Sequence, residues 1–171
     1  MSDVALEASA DQKVDAASLN LDPYWMPFTH NRYFKANRPA DRMLVGADGA
    51  YYVTSTGQRL FDGLSGLWCS GLGHSNARIK DAVKRQLDVA DYIPGFQVAS
   101  PDSFRLAERI AALAPGDLNR VFFTNSGSEA VDTALKIAIG YHRLRGEGAR
   151  TRFIGRERGY HGVGIGGISV G

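Results

Sequence analysis

Arg120-Val121-Phe122-Phe123-Thr124-Asn125-Ser126-Gly127-Ser128-Glu129-Ala130 is the stretch on which the fold turns. Residues 120–124 form a short apolar run of the kind found in strands buried on both faces. It leads straight into an amphipathic pattern that predicts a helix over about 128–144. A further strand is expected at Arg152-Phe153-Ile154. Upstream, Ile79, Val83, Leu87 and Ala90 share one helical stripe. Phe104, Ala107, Ile110 and Ala111 share another, behind Ser100 as N-cap and Pro101 at the first helical position. Doubly apolar strands alternating with helices predict an α/β fold on a mainly parallel sheet.

Working toward the N-terminus, the period changes. Met43-Leu44-Val45, Tyr51-Tyr52-Val53 and Arg59-Leu60-Phe61 are separated by Ala47-Asp48-Gly49 and Ser55-Thr56-Gly57, so a three-stranded meander is expected. Residues 63–73 are glycine-rich yet hold Leu64, Leu67, Trp68 and Leu72, which is unusual for a plain surface loop. Pro23-Tyr24-Trp25-Met26-Pro27-Phe28-Thr29 has two prolines and cannot form a regular helix. Its aromatic groups call for a covering surface, its own or a partner's. Three regions follow: an acidic mobile tail (1–22), an N-terminal segment with the meander (23–73), and the start of a large domain (74–171). Two sheet strands would leave an open edge, so an N-terminal part of a larger protein is expected.

Composition narrows the class. The chain has 171 residues, 44% hydrophobic and 22% charged, the balance of an ordinary globular protein rather than a disordered or fibrous one. No apolar run reaches the roughly 20 residues of a membrane span. The start is acidic where a secretory signal would be basic, and the single cysteine, Cys69, cannot form an internal disulfide. A cytoplasmic location is the expectation. The net charge of +2 conceals an asymmetry. With Lys13 and the five acids of residues 1–22 set aside, 19 of the 20 basic and 13 of the 18 acidic groups remain, a surplus of six. Arg143, Arg145, Arg150, Arg152, Arg156 and Arg158 cluster, but only Phe153 falls among them, so a solvated or subunit-facing surface fits better than nucleic acid.

Residues 124–130 are the strongest chemical signal. A helix start leaves backbone N–H groups unpaired and its dipole favours an anion there. Gly127 lets an oxyanion approach, and the hydroxyls of Ser126 and Ser128 add donors. Ser126-x-x-Glu129 equally fits a capping box, and on local sequence both readings stand. No Gly-Lys-Ser/Thr follows, so this is not a nucleotide P-loop. Gly162-x-Gly164-x-x-Gly167 matches a dinucleotide fingerprint by spacing, but no strand leads into it. The four histidines and Cys69 have no metal-ligand spacing. Tyr160-His161, bracketed by glycines, is free to face a ligand.

Taken in order, Ser126-Gly127-Ser128-Glu129-Ala130 and Gly159-Tyr160-His161-Gly162 resemble the class III, pyridoxal-phosphate-dependent aminotransferases. Pro27-Phe28-Thr29 and Asp62-Gly63-Leu64-Ser65-Gly66-Leu67-Trp68 resemble the ω-amino acid:pyruvate branch of that family. The resemblance runs from about residue 23 to 171. It implies fold-type I architecture, pyridoxal 5'-phosphate as cofactor, amine and keto-acid substrates, and a homodimer or dimer of dimers. It also implies that Ser126, Gly127 and Ser128 hold the phosphate, that Tyr160 stacks on the pyridine ring, and that His161 and Gly162 complete that wall. Leu67 and Trp68 would line the substrate pocket, with Tyr24, Trp25 and Phe28 reaching it near a dimer interface and Phe96 reaching it from the other subunit. A core tryptophan is the alternative for Trp68.

The family's Schiff-base lysine, the acid on the pyridine nitrogen and the arginine for the substrate carboxylate are expected beyond Gly171. Of Lys13, Lys35, Lys80, Lys84 and Lys136, none matches the lysine motif. No catalytic residue is therefore assigned within the chain, and the chain alone is expected to be inactive. The competing reading is a non-catalytic or regulatory fragment that keeps the phosphate loop.

Overall fold

The computed structural model describes Asp15, residues 18–37 and residues 39–171. Most of the expected acidic tail, with Lys13, lies outside the described residues. The chain divides into two compact units, with the boundary between Tyr92 and Ile93.

In the first unit the aromatic and proline-rich segment forms turns rather than a helix, as its prolines require. It is fastened by Asn31, whose side chain accepts from Met26 N–H (2.8 Å) and donates to the carbonyls of Met26 (2.8 Å) and Thr29 (2.9 Å). Asn31 opens the short helix α1 (Asn31–Asn37), followed by the single turn α2 (Pro39–Arg42). The meander is present: β1 (Leu44–Asp48), β2 (Tyr51–Thr54) and β3 (Arg59–Phe61) pair antiparallel in chain order. Tyr51 sits opposite Phe61, their rings edge-on at 5.7 Å, a cross-strand pair that helps fix the register. After β3 comes α3 (Ser65–Trp68), which coils left-handed. Then α4 (Ala77–Val89) begins at Asn76, whose side chain accepts from Ile79 N–H.

The second unit contains α5 (Pro101–Leu113), α6 (Gly127–Leu144) and α7 (Ile165–Ser169). The caps follow the sequence expectation: the Ser100 hydroxyl accepts from Asp102 N–H (3.3 Å), with Pro101 inside the first turn. The two strands expected at 120–124 and 152–154 are not formed. A strand exists only through hydrogen bonds to a neighbour, and among the described residues neither run has one. Their apolar side chains stand open, Phe122 at 72% and Ile154 at 98% exposure. The apolar runs are real, but the sheet they would join has no partner strand in this unit.

A Cβ on Gly162 would lie 2.7 Å from Ser128 Cα, so only glycine permits this loop to lie against the start of α6. Asp132, one turn further along α6, accepts from Gly167 N–H (2.9 Å) and ties down α7.

Candidate cofactor and substrate sites

The start of α6 combines a cap with open donors. Ser126 is the N-cap, and its hydroxyl oxygen accepts from Glu129 N–H at 3.2 Å. The Glu129 carboxylate turns back to accept from Asn125 N–H at 2.9 Å, one position earlier than in the usual reciprocal box. Thr124 adds a hydroxyl bond to the Ser126 carbonyl (3.0 Å). Capping is therefore real, yet it uses neither the Gly127 nor the Ser128 amide. Both amides lack a protein acceptor among the described residues. Apart from its chain neighbours and its own helix backbone, no described atom lies within 4 Å of where a Gly127 Cβ would stand, which leaves room for an anion to approach. The Ser128 hydroxyl accepts from Val163 N–H (3.0 Å), which leaves its proton free to donate outward. The nearby acids are occupied, Glu129 by Asn125 and Asp132 by Gly167.

The same contact carries the second half of the motif. Gly162 is buried against Ser128, and Tyr160 and His161 immediately precede it, with the Tyr160 ring exposed. Phe96, also in this unit, lies exposed in the loop before α5.

The first unit holds the other named residues. Leu67 and Trp68 lie in α3, where Ser65, Gly66, Leu67 and Trp68 all have positive φ (50°, 60°, 56° and 70°). The turn is closed by Trp68 N–H to the Leu64 carbonyl (2.9 Å) and Ser70 N–H to the Ser65 carbonyl (2.8 Å). Left-handed backbone costs an ordinary residue roughly 1–2 kcal/mol, so Ser65, Leu67 and Trp68 together store a few kcal/mol. Leu67 is 71% exposed and Trp68 83%. Trp25 and Phe28 are likewise exposed, and neither shares a ring contact or hydrogen bond with Leu67 or Trp68 among the described residues.

Sequence reasoning missed what holds this turn. Asp62, only 6% exposed, accepts from Gly66 N–H (2.6 Å) and Leu64 N–H (3.2 Å), and from His74 Nε2 (2.7 Å). The Tyr52 phenol lies near the same carboxylate, and the Tyr52 and His74 rings lie 4.4 Å apart. Desolvation alone would raise the Asp62 pKa. The bonds from His74, Gly66 and Leu64, with the nearby Tyr52 phenol, outweigh it and hold the carboxyl below its ordinary value. Burial, then the Asp62 charge, push the Tyr52 phenol up. The available signal was an acid opening a glycine-rich run, four residues before Gly66, with a histidine following Gly73.

Among the described residues no group of three or more His, Cys, Asp or Glu could hold a metal, and no helix is long and apolar enough to cross a membrane.

A helix start with two free amides stands beside a glycine-bracketed Tyr-His pair, and comparison with known proteins gives the class of the chain. The sequence profile of the class III aminotransferases matches residues 33–171, and the chain belongs to that family. It is 53% identical to an omega-aminotransferase of Caulobacter vibrioides over 92% of this chain and 35% of that protein. It is 51% identical to a beta-alanine–pyruvate aminotransferase of Pseudomonas aeruginosa, over 91% of this chain and 34% of the relative. The chain thus spans about a third of the length of the curated relatives it matches. An amine transaminase from an uncultivated Pseudomonas species, solved in its PLP-bound form, superposes with a TM-score of 0.73 at 39% identity, covering 86% of this chain and 33% of that one. The architecture is accordingly the N-terminal part of fold-type I. The family's cofactor is pyridoxal 5'-phosphate. The donors at Gly127 and Ser128, and the open space beside them, fit its phosphate.

Proposed function

We propose that this chain is the N-terminal part of a transaminase that moves an amino group from an ω-amino acid or amine, β-alanine-like in shape, to pyruvate. The observation that carries the reading is the start of α6, where capping leaves the Gly127 and Ser128 amides free over open space. When bound, pyridoxal phosphate supplies the electron sink that amine chemistry requires. The chain's own residues do the holding. The Gly127 and Ser128 amides, the Ser128 proton and the helix dipole bind the phosphate dianion. Ser126 fixes the geometry of that start through its cap and still has a proton to donate. Tyr160 would stack on the pyridine ring of the bound cofactor, a contact worth roughly 0.5–1.5 kcal/mol beyond buried area. His161 and Gly162 close the same wall, and Gly162 anchors it to Ser128.

Leu67 and Trp68 form the wall that admits an unbranched amine and excludes water from it. Trp25, Phe28 and Phe96 complete the aromatic lining. In this reading residues 23–73 belong to the small-domain and interface part, and residues 74–171 open the large cofactor domain. The exposed apolar faces are covered by the remainder of the subunit and by a second copy in a homodimer or dimer of dimers. The described lysines Lys35, Lys80, Lys84 and Lys136 lie on α1, α4 and α6. None of the five lysines of the sequence matches the lysine motif of the family, and in this reading the cofactor lysine belongs to the rest of the protein. The enzyme is placed in the cytoplasm, with no nucleic-acid partner.

Incubating the complete protein with pyridoxal phosphate, β-alanine and pyruvate, and measuring alanine, tests the reading. Alanine formation dependent on both substrates is the expected result. Tight cofactor binding without turnover of any amine would instead favour a non-catalytic phosphate-binding protein.

A further inference from the structure

We propose that Asp62 is a positioning residue for the amine pocket: its carboxylate, braced by His74 and Tyr52, holds α3 in the left-handed turn that presents Leu67 and Trp68 to the substrate. The proposal rests on the reading of Leu67 and Trp68 as pocket-lining residues.

Three consecutive observations carry it. First, the turn is costly, because Ser65, Leu67 and Trp68 adopt backbone angles that side chains disfavour. Something outside the turn must offset that cost. Second, Asp62 is the side chain that bonds the turn's own amides, reaching Leu64 and Gly66 with its two oxygens. Third, Asp62 is itself fixed independently of the turn. Its N–H donates to the Ala50 carbonyl at 2.9 Å, which pins it to the meander. His74 exchanges two backbone bonds with Gly49, at 3.1 and 2.7 Å, so the imidazole that grips Asp62 is pinned to the same hairpin. The Tyr52 ring on β2 packs on that imidazole. The meander thus serves as a rigid base, the carboxylate as the clamp, and the exposed Leu67-Trp68 pair as what is held out. The space inside the turn is equally set: a Cβ on Gly66 would meet Ser70 Oγ at 3.0 Å and the Tyr52 hydroxyl at 3.4 Å.

A carboxylate that merely stabilised the fold would affect every substrate alike. One that acts through Trp68 affects them through the wall. In the complete protein, Asp62→Asn keeps the shape but cannot accept from His74, Gly66 and Leu64 as an anion. It is expected to lower kcat/KM for β-alanine relative to a bulky amine on the order of tenfold, mainly through KM, because small misplacements of a positioning wall cost that much. Placed on a Trp68→Ala background, the same substitution should change the ratio by less than about twofold. Hydrogen exchange over residues 64–68 should speed up. Tyr52→Phe, which removes the phenol beside the Asp62 carboxylate and little volume, should shift ratio and exchange the same way by less, and it guards against Asp62→Asn failing to fold. Equal loss for both amines, or an undiminished shift in the Trp68→Ala background, overturns the proposal. If the wild type transaminates no amine, the functional reading fails separately. The exchange measurement then still decides, since unchanged protection at 64–68 in Asp62→Asn overturns positioning by itself.

Discussion

The start of α6 and the turn α3 present groups outward by opposite means. At α6 the backbone is relaxed: an ordinary helix begins, Ser126 caps it, and two amides remain free because helix geometry leaves them so. At α3 the backbone is strained, four residues in succession are left-handed, and a buried carboxylate holds them there. The proposed phosphate site thus rests on relaxed helix geometry, whereas the proposed amine wall sits on a strained turn bonded by Asp62. A charged ligand can be recognised by peptide groups any sequence possesses. An apolar pocket wall needs particular side chains held in place, which in the proposed reading is the part Asp62 plays at α3.

If that contrast is right, the two regions should break differently. The largest effect belongs to Gly127→Asp. A Cβ there meets nothing beyond its own helix and chain neighbours within 4 Å, so the fold should survive, while the new carboxylate should take the place of the proposed anion. With two charge-assisted bonds of about 1.5–3 kcal/mol each lost, cofactor affinity should fall by orders of magnitude. Absorbance of the purified variant after adding pyridoxal phosphate reads the occupancy, and normal occupancy would sink the phosphate assignment.

Next comes Trp68→Ala, which should move the ratio of kcat/KM for a bulky amine over β-alanine by about tenfold while the melting temperature changes little. A steep fall in melting temperature with an unchanged ratio would make Trp68 structural. Smaller still, Ser126→Ala removes the cap without removing the free amides. A stability loss of about 1 kcal/mol in denaturant titration, with cofactor still bound, is expected.

How much of this was legible beforehand depended on whether the cause was local. The meander could be read because Asp48-Gly49 and Thr56-Gly57 mark its turns, and α4, α5 and α6 because their stripes repeat every three to four residues. The caps at Ser100 and Ser126 were visible for the same reason. The runs at 120–124 and 152–154 announced a capacity for burial in a sheet, but pairing is a property of two segments, and these have no partner among the described residues. Helix α1 went unpredicted because it is set by Asn31 bonding to Met26 and Thr29, not by an apolar stripe. The Asp62–His74 clamp spans twelve residues across a left-handed turn that has no sequence period. The proposed phosphate site was half visible: Ser126-x-x-Glu129 announced a cap, and only the geometry showed that the cap leaves two amides unused.

The smallest expected effect is on pH. Asp62 titrates below its ordinary value in the folded state, so its contribution is complete above that ordinary value and is lost as pH falls through the lowered one. Protection of the 64–68 amides, corrected for intrinsic exchange, should be flat through neutrality and fall only in strong acid. A loss near neutral pH would point to a group other than Asp62.

The central claim is that a capped helix start with two unused amides receives the cofactor phosphate. A crystal structure of the complete protein with pyridoxal 5'-phosphate tests it most directly. The account predicts phosphate oxygens within hydrogen-bonding distance of the Gly127 and Ser128 nitrogens, with the Ser126 hydroxyl still accepting from Glu129 N–H. A phosphate bound elsewhere, with those two amides facing only water, would contradict it.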